Sequence, residues 1–164
     1  MKAIFAGTFD PFTSGHADIV KRSASCFAEV VVAVADDCAK SAAPVAVRAE
    51  IAEIAVRNLK LDNVTVMPFC GLLTDFAEEL GGDVVFIRGV RNGRDFEYEQ
   101  ELIGVYKSLN RFDAVLFVTS GELMHVSSSA VRQLASIGAP LDGYVESGTE
   151  EYIRAVYGKT DDEK

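Results

Sequence analysis

Lys2-Ala3-Ile4-Phe5-Ala6 runs directly into Gly7-Thr8-Phe9-Asp10-Pro11-Phe12-Thr13-Ser14-Gly15-His16, and the reading of this junction decides the fold. A short apolar run closing on glycine reads as a strand. The segment after it, residues 15–27, repeats Ile19, Val20 and Phe27 at helical spacing, with Lys21 and Arg22 on the other face. Between strand and helix lies a loop carrying Thr, Gly and His. Backbone N–H groups at a helix start are unpaired and the helix dipole places partial positive charge there, so the position suits a polyphosphate. The same field disfavours an imidazolium, so His16 is expected neutral, donating one N–H toward a bridging or transferring phosphate. The loop has neither the Lys-Ser/Thr ending of a P-loop nor the Gly-x-Gly-x-x-Gly spacing of a dinucleotide loop.

Outward from this junction the chain keeps alternating. Apolar runs at 30–35, 64–68, 84–87 and 114–118 join 2–6 as strands, and helical segments fall at 47–59, 73–80 and 95–109, with two more beginning at Ser128 and near Glu150. Alternation of this kind predicts an α/β fold: a Rossmann-like, doubly wound, five-stranded parallel sheet with helices on both faces. Ligands then bind beyond the carboxyl ends of the strands, where the strand order switches, and the Gly7–His16 loop sits at such an end. Gly81-Gly82 marks a turn, and Gly138-Ala139-Pro140 closes the helix over 128–136. A single domain over 1–158 is expected, with the acidic tail 159–164 frayed.

The 164 residues carry a net charge of −9, which argues against a general nucleic-acid binder. Local arginines can still reverse the field inside a cleft. No signal peptide or long apolar span is present, so no membrane partner is expected and the location is read as cytoplasmic. Cys26, Cys38 and Cys70 form no C-x-x-C and read as free thiols.

Two more constellations fall on the same predicted sheet edge. Arg88-Gly89-Val90-Arg91-Asn92-Gly93-Arg94-Asp95 places three arginines in seven residues, expected as a mobile cationic loop with Asp95 capping the next helix. The plain reading of the segment is a solvated turn whose arginines pair with Asp95, Glu97 and Glu99. Further on, Met124-His125-Val126-Ser127-Ser128-Ser129 brings a run of hydroxyls to a helix start, with Ser127 or Ser128 as cap and Arg132 one turn inside. Lys40 stands in the 36–44 loop, where it is either a solvated charge or a cation closing over reacting phosphates.

In this order the pieces resemble the bacterial phosphopantetheine adenylyltransferases, members of the T/H-x-G-H nucleotidyltransferases. The resemblance rests on GTFDPFTSGH, on IRGVRNGRDFEYE and on the SSSAVR run, and the middle segment is the one specific to the subfamily. It implies transfer of the adenylyl group of ATP to 4′-phosphopantetheine, giving dephospho-coenzyme A and pyrophosphate, with Mg²⁺. It also implies a homo-hexamer and feedback by coenzyme A. Position by position, Thr8, Phe9, His16, Gly89, Val90, Arg91, Glu99, Leu123, Met124, His125, Val126, Ser127, Ser128 and Ser129 would hold ATP, while Thr8, Lys40, Leu73 and Arg88 would hold the phosphopantetheine. His16, Lys40, Arg88 and Thr8 would carry the catalysis. The chain departs from the family pattern at Leu123-Met124 and in the segment after Lys40. Rival expectations are a nicotinate or nicotinamide mononucleotide adenylyltransferase, a phospho-alcohol cytidylyltransferase, or a non-catalytic nucleotide-binding domain.

Overall fold

The computed structural model describes residues 1–36, 41–110 and 112–158. Five parallel strands, β1 (Lys2–Gly7), β2 (Glu29–Ala35), β3 (Val64–Phe69), β4 (Val84–Val90) and β5 (Ala114–Val118), form one sheet in the order β3-β2-β1-β4-β5. The chain steps outward from β1 to β3, then returns across β1 to β4. The switch therefore lies between β1 and β4, where Lys2 pairs with Val84 and Phe5 with Ile87. As predicted, the fold is α/β, parallel and doubly wound. Central strands buried on both faces carry apolar residues without alternation, as the buried run of β2 shows.

The two faces are covered unequally. Phe5, Val32 and Ile87 face one core, packed by α1 (Ser14–Ala24), α2 (Val45–Asn58), α5 (Ser128–Ser136) and α6 (Glu150–Tyr157) through Ile19, Ile51, Val131 and Ile153. Ile4, Val31 and Phe86 face a smaller core closed by Phe76 of α3 (Leu73–Leu80) and Tyr106 of α4 (Gly93–Asn110). α1 ends at Ala24, short of the predicted end at residue 27. The Asn63 side chain donates to the carbonyls of Ala24 (2.9 Å) and Phe27 (3.0 Å), satisfying groups that a helix end leaves open.

Two expectations about the cationic segment are corrected. Arg88, Gly89 and Val90 are strand, not mobile loop, because they pair in register with Leu116, Phe117 and Val118 of β5. A parallel ladder is made by backbone groups, so a charged side chain and a glycine do not end it. Asp95 does not cap α4. Asn92 does, its side-chain oxygen accepting the Asp95 N–H at 3.0 Å.

Candidate active site

A cleft of about 900 Å³ opens over the carboxyl ends of β1 and β4. Its floor is the loop from Gly7 to Thr13, whose carbonyls are drawn back into the protein by buried or half-buried cations. Arg48, wholly buried in α2, donates to Thr8 O, to Ala35 O (2.9 Å) and to Ala43 O (2.9 Å). Arg132 donates to Asp10 O at 2.5 Å, and the Ser128 hydroxyl to Pro11 O at 2.8 Å. In a trans peptide the N–H lies opposite the carbonyl, so pulling Thr8 O toward Arg48 turns the Phe9 N–H the other way. The Phe9 side chain is buried, with φ +44°, and its ring lies on Gly7, where a Cβ would meet it at 3.2 Å. Phe9 therefore offers the cleft its backbone.

His16 is fixed at the start of α1. The Thr13 N–H donates to its Nδ1 at 3.0 Å, and the Thr13 hydroxyl lies 3.1 Å from the same nitrogen. Nδ1 is thus the acceptor and Nε2 carries the proton. The ring sits among Phe5, Phe9 and Phe12, at centroid distances of 6.0, 5.0 and 5.3 Å. Burial first, and the Arg91 charge second, hold its pKa down at about 4. At neutral pH the side chain is a neutral N–H donor, as the sequence led one to expect.

Across the switch, Arg88 is held from two sides. Its Nε and Nη2 donate to the two Glu99 oxygens at 2.5 and 2.8 Å, and Nη1 donates to Ala6 O at 3.1 Å. Burial works against its charge, but the hydrogen bonds and the negative charge of Glu99 outweigh it and raise its pKa. Arg91 stands nearer solvent and pairs with Asp95 through Nε at 3.0 Å. The plain pairing read from the sequence thus holds for Arg88 with Glu99 and for Arg91 with Asp95, and both arginines still line the cleft.

The third wall is the start of α5. Ser127 caps it, accepting the Ala130 N–H at 3.1 Å, and Ser127, Ser128, Ser129 and Val126 line the cleft. Arg132 is committed to the floor and to the Ser129 hydroxyl (3.4 Å), so it serves the cradle by shaping it. The fourth wall is apolar: Phe69, Leu72 and Leu73 before and at the start of α3, facing Tyr98, Leu102 and Tyr106 of α4.

Of the predicted site residues, Thr8, Phe9, His16, Leu73, Arg88, Gly89, Arg91, Glu99, Val126, Ser127, Ser128 and Ser129 line one cleft. Val90 is buried at the strand end, and Leu123, Met124 and His125 lie outside the lining, His125 set edge-on to Tyr144. Lys40, Cys38 and the tail 159–164 lie outside the described residues. The sequence reading missed Asp10, a buried hub whose Oδ1 accepts from the Tyr157 hydroxyl (2.6 Å) and Oδ2 from the Ala42 N–H (2.7 Å). It also missed Tyr98, Leu102 and Tyr106, although their spacing of four residues was there to be read as one helix face.

A parallel sheet whose carboxyl edge gathers a helix-start histidine, two arginines and a serine-capped helix defines a nucleotide-handling α/β protein. Comparison with known proteins narrows this. Residues 4–134 match the family described as cytidylyltransferase-like. The phosphopantetheine adenylyltransferase of Nitrosospira multiformis is 42% identical, with 88% of this chain and 87% of that protein covered. Those of Moorella thermoacetica and Oleidesulfovibrio alaskensis are 39% and 37% identical, each over 95% of this chain and over 97% and 91% of their own length. In solved structures, a nicotinic acid mononucleotide adenylyltransferase of Plasmodium falciparum shares the fold, with a TM-score of 0.69 at 18% identity over 93% of both chains. The chain belongs to the cytidylyltransferase-like family and, within it, to the phosphopantetheine adenylyltransferases.

Proposed function

We propose that this chain transfers the adenylyl group of ATP to 4′-phosphopantetheine, forming dephospho-coenzyme A and releasing pyrophosphate. The observation that carries this reading is 42% identity to a phosphopantetheine adenylyltransferase across 88% of this chain. The cleft supports it with an apolar wall beside Arg88, fit for a phosphorylated, extended and weakly polar arm.

The acceptor phosphate is a nucleophile at neutral pH, so the reaction needs no side-chain base. An acceptor oxygen attacks the α-phosphorus, the bond to the leaving pyrophosphate breaks in line, and no proton has to move. What the protein supplies is position and field. Arg88 holds the acceptor phosphate, with Lys40 as a second cation. The His16 Nε2–H and the Thr8 hydroxyl steady the α-phosphate as it becomes five-coordinate. Arg91 and the N–H groups at the start of α5 take the β- and γ-phosphates. Asp95 and Glu99 are the carboxylates of the cleft lining and each pairs with an arginine. The described residues also hold no cluster of three or more metal-ligating side chains. Mg²⁺, when bound with ATP, would supply neutralisation of charge on the leaving group, beside the phosphates that Arg91 and the start of α5 would hold. A homo-hexameric state, feedback by coenzyme A and a cytoplasmic location belong to the same reading. Among the described residues no helix is long and apolar enough to cross a membrane.

The test is pyrophosphate release from ATP and Mg²⁺ with 4′-phosphopantetheine, beside nicotinamide mononucleotide as rival acceptor. Release with phosphopantetheine alone is expected. Release with the mononucleotide overturns the acceptor and leaves the chemistry. Silence with both, in folded protein that binds ATP, reduces the chain to a binding domain.

A further inference from the structure

Arg48 is wholly buried beneath the Gly7–Thr13 loop. Its Nε donates to Ala43 O at 2.9 Å, and its Nη1 to Ala35 O at 2.9 Å and to Thr8 O. All three acceptors are neutral main-chain carbonyls. Among the described residues its Nη2 has no hydrogen-bond partner, and no carboxylate forms an ion pair with it. Asp10, the buried acid of the same loop, stands 3.6 Å from Arg132 and accepts from Tyr157 and Ala42. Two guanidiniums thus underlie the loop against one carboxylate. Burying a cation without a counter-charge works against folding, so an uncompensated one points to an anion that arrives from outside. Thr8 O shows the route. The other end of that peptide group is the Phe9 N–H, turned toward the cleft. A cation bound at the oxygen polarises the amide and makes its N–H a stronger donor. Phe9 stands at φ +44°, a conformation that persists only where its surroundings impose it. Arg48 holds Thr8 O on one side of it and Arg132 holds Asp10 O on the other.

We propose that Arg48 is a positioning residue for the nucleotide's phosphates. It touches no substrate; it orients and polarises the Thr8–Phe9 peptide from below, and the bound phosphate completes the charge balance of the loop. This rests on the proposed function only in placing ATP against Phe9.

The experiment compares the binding of ATP and of adenosine, by equilibrium titration, to the unaltered chain, to Arg48→Met and to Arg48→Lys. Methionine keeps an unbranched stem but loses the charge and every donor, while lysine keeps the charge on a single nitrogen. The expected result is an ATP Kd raised about tenfold or more in Arg48→Met and by less in Arg48→Lys, with the adenosine Kd within about twofold in both. Loosened packing alone would weaken both ligands alike. That outcome overturns the proposal, as does a folded methionine variant that binds ATP normally. If the methionine variant does not fold, pyrophosphate is titrated into the unaltered chain and into Arg48→Lys while the Phe9 amide proton is followed by NMR. A downfield move, larger in the unaltered chain, is expected; an unmoved resonance, or an equal move in the lysine variant, overturns the proposal. Turnover of 4′-phosphopantetheine enters none of these readings, so failure of the acceptor assignment and failure of this proposal are seen separately.

Discussion

His16 keeps its proton on Nε2 because Thr13 holds the other nitrogen. That makes it a donor without a charge, and a donor aimed at developing charge stabilises the transition state more than the ground state. His16→Ala is expected to lower kcat by roughly 10²–10³ with a much smaller change in ATP affinity, read from single-turnover rates and nucleotide titration. The same side chain links folding to pH. Its folded pKa of about 4 lies below the value near 6.5 of an unfolded histidine. Between those values the unfolded chain binds a proton that the folded one refuses, so this group makes stability fall as pH drops from about 6.5 to 4. Denaturant unfolding at pH 7 and pH 4.5 should show His16→Ala losing less stability than the unaltered protein. The neutrality of His16 was readable from its position, but the cause was not. The ring is desolvated by Phe5, Phe9 and Phe12, residues whose side chains only the folded loop brings around it.

Helix α6 shares a core with the Gly7–Thr13 loop and adds a hydrogen bond to it. Tyr157 donates to Asp10, and burial followed by that hydrogen bond raises its own pKa far above the tyrosine range. Tyr157→Phe leaves Asp10 Oδ1 short of a donor in a buried site and should cost about 1–3 kcal/mol, seen as a lower denaturant midpoint at unchanged m-value. Strand β4 and helix α1 meet more closely still. A Cβ on Gly89 would stand 2.4 Å from Ile19 Cδ1, so Gly89→Ala should cost about 1–3 kcal/mol. Ile19→Val removes the clashing methyl, and the double variant should recover most of that loss in a thermodynamic cycle. The extent of β4 was hidden in the sequence because Arg88-Gly89 interrupts the apolar run. Side-chain pattern reports burial, whereas a parallel strand is continued by backbone pairing with β5.

Among the described residues the sheet has a shielded middle and two open sides: β1 lies between β2 and β4, while β3 and β5 each have a described neighbour on one side only. Hydrogen exchange should find the amides of β1 and β2 slowest and those of β3 and β5 first to go; equal protection in β5 would show that its free side is covered. The alternation of apolar strands with helices made this architecture readable, since each element declares itself over a few residues. Asp10 did not declare itself, because its partners lie 32, 122 and 147 positions along the chain. The strand order also bears on how the chain comes to be folded. Lys2 bonds alongside Glu29 on one flank and Val84 on the other. As the polypeptide is synthesised, β1 emerges before both of its neighbours, gains β2 early and waits for β4. Through that interval the growing chain carries an unmated row of peptide groups along what will be its centre, the stretch most open to pairing with a neighbouring nascent chain.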